Sequence, residues 1–152
     1  MKLAEALMLR ADMQNRIENL RGRLMSNAIV QEGEECAEDP QELLSELEDM
    51  TARLERLITD INLTNARELP GGGTLTALLA RRDCAKQRLG ALRDFLACAS
   101  ATGQRARGGE IRLRPSVPVR QLQAQVDELS AELRRLDVRI QELNWTSELI
   151  GG

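Results

Sequence analysis

The sequence predicts a mainly α fold, an antiparallel four-helix bundle of two long helical hairpins with a short β-ribbon at the loop end. Three observations lead there. Apolar residues recur in alternating steps of three and four along four separate stretches. The apolar side chains are almost wholly aliphatic, with one Trp, one Phe and no Tyr, which favours helices over sheets. The stretches are separated by Pro and Gly at Pro40, at Pro70–Gly73 and at Pro118. A chain of 152 residues suits one domain that buries a core without disulfides or metals.

The first helix carries the seam Leu3, Ala6, Arg10, Met13, Ile17, Leu20, Leu24, apolar except at Arg10. The second opens with Asp39 as N-cap and Pro40 at the first helical position, runs Leu43, Leu47, Met50, Leu54, Leu57, Ile61, and ends near Asn65 and Ala66. The third starts at Thr74 and gives Leu75, Leu78, Arg82, Ala85, Leu89, Leu92, Leu96, Ala99, again with one arginine on the seam. The fourth starts near Pro118 and runs Leu122, Val126, Leu129, Leu133, Leu136, Ile140, Leu143 in coiled-coil heptads. Phe95, beside the third seam, is expected in the core, and Gly151 and Gly152 as a frayed terminus.

The halves match each other. Arg10, Ile17, Leu20, Arg21 and Leu24 correspond to Arg82, Leu89, Leu92, Arg93 and Leu96 at a constant shift, and Leu54, Arg56, Leu57, Ile61 and Asn65 to Leu133, Arg135, Leu136, Ile140 and Asn144 at another. The pattern is that of a duplicated helical hairpin: a single domain with one hairpin over 1–66, a Gly-rich hinge over 67–73 and a second hairpin over 74–150. Two Leu heptads also align moderately well by chance, so the match alone leaves that reading open. The glycines of "LPGGGTLT" re-aim the chain and Thr74 caps the third helix. A P-loop needs a Lys followed by Ser or Thr after the last Gly and a buried strand before it, and this stretch has neither.

Composition excludes several function classes. The chain has no His, so Ser-His-Asp and Cys-His catalysis, His-containing zinc sites and Glu-x-x-His di-iron sites are ruled out. Neither a catalytic residue, a cofactor nor a metal site is expected. Cys36, Cys84 and Cys98 follow no C-x-x-C spacing, and on one helix Cys84 and Cys98 lie about 21 Å apart. Reduced thiols in a cytoplasm fit this best. Arg10 and Asp12 interrupt any leader-like apolar run, and no stretch has membrane-spanning length. A net charge of −3 argues against a general grip on nucleic acid.

Two polar features remain. Arg10 and Arg82 sit inside apolar seams; in antiparallel hairpins Arg10 reaches the level of Asn62 and Asn65, and Arg82 that of Gln141 and Asn144, with Asp12, Asp83 and Glu142 available as counter-charges. Such a layer fixes helix register or holds a small anion or polar ligand. Between Arg23 and Arg53 there is no Lys or Arg, but there are Glu32, Glu34, Glu35, Glu38, Asp39, Glu42, Glu46, Glu48 and Asp49; the later loop holds Arg105, Arg107, Arg112, Arg114 and Arg120 against Glu110. These loops are expected to attract one another, within a chain or between chains. "AIVQ" at 28–31 and "EIRLR" at 110–114 each read as a short strand of the ribbon. "EGEECAEDP" lacks EF-hand spacing, and no aromatic platform accompanies the arginines.

The strings "MKLAEAL", "VQEGEE", "EDP", "GGGTLTALLARRD", "EIR" and "RIQELNW" resemble, from end to end, a small family of uncharacterised bacterial helical-bundle proteins, some labelled septicolysin. The resemblance implies no catalytic residues. Its label implies a cytolysin-like toxin, a role for which this sequence lacks the secretion signal and the alternating amphipathic strands. The expectation is therefore a non-enzymatic intracellular scaffold or adaptor that self-associates, with Glu34, Glu35, Arg112, Arg114 and Trp145 as oligomer contacts and an unidentified protein partner. The alternative is an anion- or polar-ligand-binding bundle built on the Arg10/Arg82 layer.

Overall fold

A computed structural model describes residues 1–101 and 113–151. The protein is mainly α, with four helices: α1 (Leu3–Ser26), α2 (Pro40–Ala66), α3 (Leu75–Ser100) and α4 (Val119–Thr146). Each start has a local cause. The Glu5 carboxylate accepts from the Lys2 backbone N–H at 2.7 Å, satisfying a donor that α1 cannot. The Asp39 carboxylate accepts from Gln41 N–H at 2.8 Å ahead of α2, and the Thr74 hydroxyl accepts from Ala77 N–H at 3.1 Å ahead of α3.

The chain forms two compact units, Met1–Glu68 with Leu143–Gly152, and Leu69–Glu142. In the first, α1 and α2 form an antiparallel hairpin whose core holds Leu3, Ala6, Met13 and Leu20 against Leu43, Leu57 and Ile61. In the second, Leu89 of α3 packs with Val126 and Leu129 of α4, flanked by Ala85, Leu92, Leu96 and Leu133. These are seam positions.

Three expectations are corrected. Ala28–Gln31 is irregular and forms no strand, because Asn27 and the turn after it take the backbone elsewhere: Glu34 N–H donates to Gln31 O at 3.0 Å, with Gly33 at φ 87°. The other half of that ribbon, 110–112, lies outside the described residues, as do Arg105, Arg107 and Arg112. Phe95 is 44% exposed, since it stands one position, about 100° of helix, off the buried seam of α3.

The third correction concerns Gly151, expected to fray: the chain is docked up to it, while Gly152 lies outside the described residues. Leu3 N–H donates to Ser147 O at 3.0 Å and Leu149 N–H to Met1 O at 2.9 Å, forming an antiparallel bridge between Lys2 and Glu148. Ile150 N–H donates to the Thr64 hydroxyl at 3.0 Å. Leu149, 7% exposed, is the apolar anchor.

Candidate functional site

The seam arginines have different environments. Arg82 turns to its neighbour Asp83, with Nε and Nη2 at 3.0 and 2.9 Å from Oδ1. Arg10 has a buried Nε with no hydrogen-bond partner, and the nearby Asp12 pairs with Arg16 at 3.0 Å instead. Asn62 is exposed, Asn65 half-buried and Asn144 buried. Glu142 is exposed and accepts from Arg139 at 3.5 Å. At the level of Asn62 and Asn65, the buried polar side chain is Thr64, whose hydroxyl donates to Asp60 O at 2.7 Å and accepts from Ile150 N–H.

At the loop end of the first hairpin, Arg23 organises the acidic run. Its Nη2 approaches Glu38 Oε1 at 2.6 Å, and Nη1 lies 3.8 Å from Glu46. Asn27, 8% exposed, donates from Nδ2 to Arg23 O at 2.9 Å and accepts from Glu38 N–H at 3.1 Å. The hydrogen bonds from Arg23 hold the Glu38 carboxyl below its ordinary pKa against the opposing effect of desolvation. Glu34, Glu35, Arg114 and Trp145 are exposed. Cys36, Cys84 and Cys98 are free thiols.

An open groove of about 430 Å³ lies in the first hairpin between α1 and α2. Leu9, Met13, Met50 and Leu57 floor it, and Met1 and Leu149 close one end. Arg16, Arg53 and Arg56 face it, together with Asp12 and Asp60. Asp12 is committed to Arg16; among the described residues neither Arg53 nor Arg56 has an ion pair. No hydroxyl, thiol or imidazole lines the groove, so its chemistry is that of binding: an adaptable thioether and aliphatic floor beside two guanidinium groups. Met50 is a seam position in the sequence, whereas Arg53 and Arg56 lie off the seams, where candidate polar residues were not sought. In the register that matches Arg10 to Arg82 and Leu57 to Leu136, Arg53 stands against Glu132 and Leu9 against Arg81.

Among the described residues, no helix is long and apolar enough to cross a membrane. The chain is 37% identical to a functionally unknown conserved protein from Corynebacterium diphtheriae, whose crystal structure superposes with a TM-score of 0.84 over 98% of each chain. No curated protein matches it. The septicolysin label finds no support in these relationships. The signature of a family of unknown function, DUF6847, matches residues 10–149, and the chain belongs to that family.

Proposed function

We propose that the protein is a non-enzymatic helical adaptor of the cytoplasm that works by associating with itself. The observation that carries this reading is the amount of large apolar side chain left on the surface of the first hairpin. Met8, Leu9, Leu44 and Leu63 are 57, 40, 48 and 51% exposed, and Leu9 opens into the groove. Single exposed apolar residues are ordinary, but Leu9 in an apolar groove with Met8 next to it on α1 supports an association surface there. The chain carries no His and its cysteines are unpaired, which fits a reduced compartment and a binding role. Size-exclusion chromatography with light scattering tests the reading: a concentration-dependent assembly is expected, and a monomer at high concentration overturns it.

One observation favours a second reading. The buried, unpartnered Nε of Arg10 is a donor that a small oxyanion would satisfy. Under that reading, phosphate or citrate raises the melting temperature of the wild type and leaves Arg10→Lys unmoved. Equal melting temperatures with and without these anions would remove it.

A further inference from the structure

We infer that the groove between α1 and α2 receives the segment Ile29–Glu35 of a second copy of this chain, in a reciprocal twofold contact. This inference rests on the self-association reading and names the surfaces that would carry it. Complementarity is visible on both sides. The groove offers an apolar floor at Leu9, Met13 and Met50; its charged lining is Arg16 paired with Asp12, and Arg53 and Arg56 against Asp60, which leaves one positive charge in excess. The segment offers Ile29 at 90% and Val30 at 43% exposure, followed by exposed Glu32, Glu34 and Glu35, which have no ion pair among the described residues. An isoleucine nine-tenths exposed next to unpaired carboxylates has the same mixed character, with opposite charge, as the groove.

Comparison of the two hairpins supplies an independent argument. In the register that matches Arg10 to Arg82 and Leu57 to Leu136, the second hairpin has a concavity lined by Arg81, Glu132, Arg135 and Leu136, the counterparts of Leu9, Arg53, Arg56 and Leu57. There Arg81 and Glu132 pair with each other. In the first hairpin that internal pair is replaced by Leu9 and a cation without a partner. The same place in the repeat is thus neutralised internally in one hairpin and left apolar and cationic in the other.

The geometry allows closure. Met13, in the groove, and Asn27, where the segment begins, are fourteen residues apart on α1 and its C-cap, about 21 Å along the axis. A twofold axis perpendicular to α1 near Leu20 therefore brings each segment to the axial level of the partner copy's groove. Both contacts are equivalent, so this pairing closes on itself in a dimer.

A charge exchange tests this on the full chain. Arg53→Glu/Arg56→Glu gives an acidic groove with an acidic segment, and Glu34→Arg/Glu35→Arg gives a basic groove with a basic segment. Each variant is expected to keep wild-type helicity by circular dichroism, because all four residues are exposed, and to dimerise at least tenfold more weakly by sedimentation velocity. Their equimolar mixture has one exchanged and one native contact, and is expected to recover a dimer. Ile29→Asp provides a charge-independent check and weakens the wild-type dimer in the same way. A monomeric wild type overturns self-association altogether. A wild-type dimer that both variants preserve, or variants whose mixture stays monomeric, overturns the groove contact and leaves self-association standing.

Discussion

Glu38 is held by atoms from two directions: the Arg23 guanidinium on its carboxylate and the Asn27 side chain on its backbone N–H. Glu148 is held similarly, with Lys2 Nζ at 2.5 Å and the Met1 amino group at 3.5 Å. Hydrogen bonding from the cation lowers the carboxyl pKa in both cases. A carboxyl whose pKa is lower folded than unfolded stabilises the fold above its unfolded value, and that contribution disappears as pH falls through the lowered value. Both pairs are largely exposed to water, so salt weakens them. Carboxyl carbon NMR is expected to show Glu38 titrating below the ordinary glutamate range, and Arg23→Gln to return it there while flattening the acid limb of the melting curve. A Glu38 midpoint in the ordinary range in the wild type would mean the pair does not persist in solution.

At the scale of elements, the tail after α4 is held by few but well-placed groups. Leu149 is 7% exposed, and its backbone N–H and that of Ile150 both find acceptors. Removing a buried leucine side chain costs about 2–5 kcal/mol, so Leu149→Ala is expected to lower unfolding stability in urea by that order. Leu113→Ala, at a position 55% exposed, is expected to change it by no more than about 0.5 kcal/mol. Equal effects would show that the tail is not docked. The same contrast explains what could be read in advance. The helices were legible because a seam such as Leu43–Ile61 repeats its period through about five turns, and because Asp39 and Thr74 are capping residues at the right places. Six residues after Thr146 are too few to show a period, and Thr64 is an ordinary helical residue until Ile150 N–H is placed against it. The groove arginines were unreadable for another reason: a guanidinium on an outer helix face looks solvated until the facing helix supplies an apolar floor.

For the whole molecule, the turn after α2 and the tail after α4 have similar sequences and are tied by similar hydrogen bonds. Glu68-Leu69-Pro70-Gly71-Gly72 aligns with Glu148-Leu149-Ile150-Gly151-Gly152, one residue beyond the register that matches Asn65 to Asn144. Leu69 N–H donates to Gly73 O at 2.9 Å, and Leu149 N–H to Met1 O at 2.9 Å; in the register of Arg10 and Arg82, Gly73 is the counterpart of Met1. Three residues lie between donor and acceptor in the continuous turn, and three would lie between Leu149 and Met1 if Gly152 were joined directly to Met1. The hydrogen bond that closes the turn in one place is therefore already made across the chain ends in the other. Gly72 and Gly73 have φ of 85° and 75°, where a glycine-rich join is favoured over any branched residue. A circular permutant with Gly152 fused to Met1, without a linker, and opened between Gly71 and Gly72 is expected to keep the helical circular dichroism of the parent. It is expected to unfold cooperatively in urea with an unchanged m-value, because the same surface is buried. A permutant with reduced helicity or a broadened transition would show that the two turns are not interchangeable, and that the matching hydrogen bonds are a local coincidence.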